Sequence, residues 1–170
     1  FSNIPFNYSV DKFKEFVQSF GQTSTINCIF SKGVAFVTYN DIRDSEKAKE
    51  KANGSFLDSR PIKTSFALHD QISSESCSTI LVRSNENPSK IELQEVIQKM
   101  KVFGDIMWAA VEGQPFTFVV EYYNILDARK AMKEQFIQIG SEKVKLEYKI
   151  ENENKSDYIP QLKQVTPHQL

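Results

Sequence analysis

The stretch Lys32-Gly33-Val34-Ala35-Phe36-Val37-Thr38-Tyr39 holds the residues of this chain best suited to a chemical task. Read as a strand, it places Val34, Phe36 and Thr38 on one face and Ala35, Val37 and Tyr39 on the other. A strand that buries Ala, Val and Tyr on one side has no packing reason to put a phenylalanine on the wet side. An aromatic ring in the middle of an open sheet face is a platform for a flat partner, and every nucleobase offers such a face. Gly33 lets the preceding loop turn sharply, and Lys32 brings a positive charge to the strand's entry. The same face is expected to collect Lys63 and Ser65 from the last strand of the domain, Thr25 and Asn27 from the neighbouring strand, and Ser2 from the first. These are polar groups able to read the Watson–Crick edges of unpaired bases.

Catalysis and metal binding are not expected. His69 and His168 are the only histidines, one in a linker and one in a tail, so no His-based triad or zinc site assembles within a domain. There is no G-x-x-x-x-G-K-[ST] or G-x-G-x-x-G loop, and no cofactor is implied. Cys28 and Cys77 lie far apart with no C-x-x-C pair, which argues against a disulfide scaffold and a zinc knuckle and fits a reducing compartment. No apolar run approaches the ~18 residues of a membrane span, and no signal peptide opens the chain. Because residue 1 falls inside a strand, a longer parent protein is expected. The net charge of −1 is low for a nucleic-acid binder. Affinity for a polyanion therefore has to come from stacking and base-edge contacts more than from phosphate attraction.

The elements that must position Phe36 follow from periodicity. Val10, Phe13, Phe16, Val17 and Phe20 recur at helical spacing, with Ser9 as N-cap and Gly21 as stop, which predicts a helix over 10–20. A strand over 23–30 precedes the octamer. A second helix over 42–52 begins at Asp41 and ends at the turn Asn53-Gly54, and a fourth strand over 61–67 has Ile62, Thr64 and Phe66 facing in. The order βαββαβ is a split βαβ, ferredoxin-like unit, an α+β fold in which both helices cover one sheet face and leave the other open.

The pattern then recurs. After a Ser-rich linker at 69–78 come a strand at 79–82, a helix over 89–103, strands at 106–111 and 116–122, a helix over 125–136 and a strand at 144–150. Residues 36–48 align with 119–131 at an offset of 83, so two copies of one small domain occupy 1–68 and 79–150, with a polar tail over 151–170. The second copy is read as carrying about three extra residues, Lys101-Val102-Phe103, at the end of its first helix. Its expected sheet face is poorer in aromatics. Under the repeat alignment Val119 stands at the place of Phe36 and Thr117 at that of Val34, neither of them aromatic. Leu81 lies on the first strand of the copy, and Trp108 on the second strand is expected to face out. Arg83 and Lys145 are placed to reach phosphates, and Phe116 and Tyr123 are strand-end aromatics. Leu81, Val119 and Trp108 would equally suit contact with another protein or with the neighbouring domain.

The octamer resembles the longer signature of the RNA recognition motif, K/R-G-F/Y-G/A-F-V-x-F/Y, at seven of eight places, with Val34 as the departure. In that family a second base stacks on an aromatic at the place of Val34. The shorter signature ends in Asn-Leu, here Asn3-Ile4, which sets Phe1 inward. The resemblance implies two such domains, each a four-stranded antiparallel sheet with two helices on one face, binding single-stranded RNA chiefly through the first. A narrower likeness in Tyr39-Asn40-Asp41-Ile42-Arg43-Asp44-Ser45-Glu46-Lys47-Ala48, echoed at 122–128, is to the Mei-two-like regulators of meiosis. It implies post-transcriptional regulation of messenger RNA in the nucleus, the cytoplasm or both. The competing expectation, from neutral charge and missing aromatics, is a protein-docking module within a ribonucleoprotein assembly.

Overall fold

The computed structural model describes residues 1–67, 77–84, 90–112 and 117–150. The linker over 69–76, the tail, both histidines and Phe116 lie outside the described residues. The chain divides into two compact units, Phe1–Asp70 and Gln71–Leu170.

In the first unit, α1 (Val10–Gln18) starts where the Ser9 hydroxyl accepts from the Lys12 amide. It buries Phe13 and Val17 on its apolar stripe. β1 (Thr23–Ile29) pairs antiparallel with β2 (Val34–Tyr39), with Asn27 opposite Phe36 and Ile29 opposite Val34. Residues 1–3 complete the sheet by bridging Ser2 to Val34 on one side and to Lys63 on the other. The Ser2 amide donates to the Lys63 carbonyl at 2.8 Å, and the Ala35 amide donates to the Phe1 carbonyl at 2.9 Å. Asp41 caps α2 (Ile42–Ala52), its carboxylate accepting from the Arg43 amide at 2.9 Å. A short hairpin, β3 (Phe56–Leu57) with β4 (Arg60–Pro61), leads into the last strand segment. The core between helices and sheet holds Ile4, Phe13, Val17, Phe30, Ala35, Ala52, Leu57 and Ile62. Phe13 meets Phe1 and Phe30 edge-on at 5.6 and 5.4 Å, so Phe1 points inward as expected. Phe66 does not join this core. The ladder ends at Lys63, and Thr64 turns to donate from its hydroxyl to the Lys49 carbonyl of α2. With alternation broken there, Phe66 lies exposed under the Lys49 ammonium.

The second unit repeats the plan: β5 (Thr79–Ser84), α3 (Leu93–Met100), β6 (Ile106–Glu112), β7 (Thr117–Tyr122) and α4 (Ile125–Met132). It adds a hairpin of β8 (Phe136–Ile139) and β9 (Glu142–Tyr148), giving five strands in the order β6-β7-β5-β9-β8. The helix expected to run to 136 stops at Met132. Gln135 takes a positive φ of 55°, and Phe136-Ile137-Gln138-Ile139 alternate as a strand before the turn at Gly140. α3 begins at Leu93, with Glu92 and Glu95 forming a reciprocal capping box.

The 83-residue offset is physical. The buried Tyr39 hydroxyl donates to the Val17 carbonyl at 2.9 Å, and the Tyr122 hydroxyl donates to the Met100 carbonyl at 2.8 Å. Asn124 caps α4 as Asp41 caps α2. Since Val17 answers to Met100 and Gly21 to Gly104, Lys101-Val102-Phe103 are not extra: they match Gln18-Ser19-Phe20. Ser2 and Arg83 are also equivalent, each lying between the partners Val34 and Lys63 or Thr117 and Lys145. The offset there is 81, so the added length of the second copy falls between its first strand and α3.

Candidate nucleic-acid interface

β2 presents its two faces as alternation requires. Ala35 and Tyr39 are buried against the helices, while Phe36 on the opposite face is 51% exposed. Strand pairing fixes its neighbours. Asn27 stands directly across from it, and Val34 and Ser2 adjoin each other one step along, followed by Lys63. Thr25, Asn27, Lys32, Lys63 and Ser65 are exposed, and Ser2 and Val34 are partly covered. Strand pairing thus brings Phe36, Val34, Thr25, Asn27, Ser2 and Lys63 onto one surface, while Lys32 lies in the turn before β2 and Ser65 beyond the end of the ladder. Gly33 makes the entry to β2 possible by conformation and by space. Its φ is +66°, and a Cβ there would sit 3.2 Å from the Ile4 carbonyl oxygen.

One member of this surface was not expected. Phe6 is 59% exposed in the turn after Pro5. Its ring lies against Gly33, and the Arg60 guanidinium stands 5.2 Å from its centroid. A lone aromatic after a proline, off every apolar stripe, was the only trace of it in the sequence. Lys32, Arg60 and Lys63 together give this end of the first domain exposed positive charge beside two open rings. An aromatic face bordered by cations and amides can stack an unpaired base and hold the adjoining phosphate.

The second domain is built differently at the equivalent places. Val119 occupies the place of Phe36 and is 2% exposed, and Leu81 is 8% exposed. Neither offers the open apolar patch expected of it. Both are absent from the core cluster beneath the helices, which identifies them with the opposite sheet face. Arg83 and Lys145 do not stand free for phosphate. The Glu147 carboxylate pairs with Arg83 Nε and with Lys145 Nζ, each at 2.8 Å, and Arg83 Nη1 also donates to Thr117 Oγ1 at 3.4 Å. The hydrogen bond from Lys145, against an opposing effect of burial and with further help from the charges of Lys145 and Arg83, holds the Glu147 carboxyl below its usual range. Trp108 is half-buried, and its indole Nε1 donates to Glu121, its cross-strand partner. Lys149 Nζ meets Glu112 Oε1 at 2.7 Å. The polar groups of this sheet are largely spent on one another.

Comparison with known proteins finds sequence similarity over the first domain. Residues 2–63 match the family model described as the RNA recognition motif. The human RNA binding protein fox-1 homolog 3 is 34% identical over 70 residues, covering 39% of this chain and 22% of that protein. The sex determination protein fox-1 of Caenorhabditis elegans is 36% identical over 70 residues, again 39% of this chain and 16% of that protein. The chain thus spans about a fifth of the length of these curated relatives. Among solved structures, the C. elegans NONO-1 homodimer is 19% identical with a TM-score of 0.42, covering 98% of this chain and 67% of that one. The first two RNA recognition domains of Drosophila melanogaster Sex-lethal are 16% identical with a TM-score of 0.36, covering 87% and 96%. The first domain, residues 2–63, thus matches the RNA recognition motif, and it is distantly similar to the Fox-1 proteins.

Proposed function

We propose that this chain binds single-stranded RNA, with the open sheet of the first domain as platform and one base stacked on Phe36. The observation that carries the reading is the half-exposed Phe36 ring at the middle of a helix-free sheet face, with Asn27 opposite and Lys63 within the same surface. A stacked base contributes about 1–3 kcal/mol. Lys32, Arg60 and Lys63 supply the phosphate contacts, and Thr25, Asn27, Ser2 and Ser65 the hydrogen-bonding groups. The relatives at 34–36% identity include one named an RNA-binding protein, which supports the same reading for the first domain.

Regulation of messenger RNA, in the nucleus, the cytoplasm or both, is the setting this reading implies. A place in meiosis rests on the likeness at 39–48, and those residues also have structural work. Tyr39 anchors α1, Asp41 caps α2 and Ala48 is buried. Protein docking by the second domain loses the apolar surface it relied on, because Leu81 and Val119 are buried. No helix among the described residues is long and apolar enough to cross a membrane.

The test is a titration of the chain with randomised single-stranded RNA and with duplex RNA. In duplex RNA the base faces are stacked on one another and closed to an open sheet, and the deep A-form major groove hides the base edges. The single strand should bind about tenfold or more tighter than the duplex. Equal affinities would contradict stacking on Phe36.

A further inference from the structure

The second domain's sheet carries an exposed aromatic on its outermost strand. β8 lies at the outer edge of the five-stranded sheet, beyond β9. Phe136 pairs with Lys145, Lys145 pairs with Arg83, and Arg83 pairs with Thr117, so the four residues form one lateral row on a single face. That face is the one opposite the helices, since Ile137, Ile139, Val144 and Leu146 of the same hairpin are in the core. Phe136 is 41% exposed. Lys143 Nζ stands 4.8 Å from the ring centroid, and no carboxylate among the described residues pairs with Lys143. Gln138, across from Lys143, is exposed beside them.

Charge is divided unevenly over this sheet. At the β8–β9 side stand Arg83, Lys143 and Lys145 against Glu147 alone, a net of +2. At the β6 side stand Glu112 and Glu121 against Lys149, a net of −1. A polyanion is drawn to the first side and turned from the second. The sealed Val119 closes the middle of the sheet, while the partly exposed Phe136 ring, the Lys143 ammonium above it and the Gln138 side chain, whose amide nitrogen donates to the Gly140 carbonyl at 3.2 Å, lie together at its edge.

We propose that the second domain binds one nucleotide of a single-stranded RNA at this outer edge, the base stacking on Phe136 and the phosphate meeting Lys143. Gln138 lies within the same surface as a hydrogen-bonding group for the base edge. Lys143 covers the ring when no base is present and moves from above the ring to the phosphate when one is. The proposal rests on the chain being an RNA binder but does not need Phe36 to be the other contact.

The experiment is an amide-resolved NMR titration of the isotope-labelled 170-residue chain with randomised single-stranded RNA, followed by salt-dependent affinities of variants. Shifts at residues 136–145 together with those around Phe36 are expected. Phe136→Ala should weaken binding about fivefold or more. Lys143→Gln should lower the slope of log affinity against log salt by about 0.7, a change that a merely structural role would not produce. Both side chains are exposed, so both variants should fold. Shifts around Phe36 with none at 136–145 would overturn this site and leave the first-domain platform standing. Shifts at 136–145 alone would support this site and overturn that platform. An acidic peptide that shifts 136–145 where RNA does not would assign the edge to a protein and overturn the proposal.

Discussion

The Tyr39 hydroxyl is buried where α1 ends, and it donates to the Val17 carbonyl of the last helical turn, which also accepts from the Phe20 amide at 3.2 Å. Tyr122 does the same in the second domain. Burial raises the pKa of both phenols far above the ordinary tyrosine value, so each stays a donor across the accessible pH range. Tyr39→Phe and Tyr122→Phe should each cost their own domain about 1 kcal/mol in urea unfolding, with the other domain unaffected. Gly21 and Gly104 make a second matched pair. A Cβ at Gly21 would fall 2.1 Å from the Asp44 carboxylate, and one at Gly104 would fall 2.0 Å from that of Asp127. The Asp Cβ atoms at 2.4 and 2.5 Å cannot swing away without moving helix backbone. Gly21→Ala should therefore destabilise the first domain by about 1–3 kcal/mol. At this scale the sequence was legible wherever alternation or a repeat spoke. Phe36, Asn27 and Tyr39 follow from strand period and the 83-residue echo. Phe6 and Phe66 do not, because their exposure depends on a turn and on where a ladder stops, and neither leaves a periodic mark.

The helix starts differ between the domains in a way that pH should reveal. Burial works to raise the Asp41 pKa, but the hydrogen bonds and charge of Arg43 outweigh it and leave the carboxyl below its usual value. A folded pKa below the unfolded one gives stability that is present above about pH 4 and lost as pH falls through the folded value. Asn124 caps α4 with no charge to lose. Thermal melts on acidification should therefore show the first domain losing stability where Asp41→Asn, which retains a capping oxygen, flattens that acid limb. An unchanged limb would mean the carboxylate is not the titrating cap. The hairpin of β8 and β9 is the element that was hardest to read. Leu126, Met132 and Phe136 continue an apolar pattern that suits a helix, and only the alternation of 136–139 before Gly140 marks the strand. Short apolar runs fit both periods, and the positive φ at Gln135 that separates them belongs to the backbone.

Across the whole chain, two copies of one fold differ in what their sheets expose. Residues 1–68 hold nine Lys and Arg against seven Asp and Glu, and residues 79–150 hold ten against ten. With so little excess charge, salt should weaken RNA binding only modestly. Contacts from Lys32, Arg60, Lys63 and Lys143 imply a log–log slope of about −3, at about 0.7 per phosphate on a single strand. A slope several times steeper would point to a phosphate-driven surface not described above. The doubling of the domain was legible from the 83-residue echo, because core and capping residues repeat under folding constraints shared by both copies. The fate of the second sheet was not. Arg83, Lys145 and Glu147 read as three separate charges in sequence, and only strand register brings them into one cluster.

The central claim is that a base rests on Phe36. Its most direct measurement is the affinity of the chain for single-stranded RNA when that ring is removed and when it is kept. Phe36→Ala should weaken binding by about 1–3 kcal/mol with the fold intact, and Phe36→Tyr should bind nearly as the parent does. Parent-like affinity in Phe36→Ala would contradict the account.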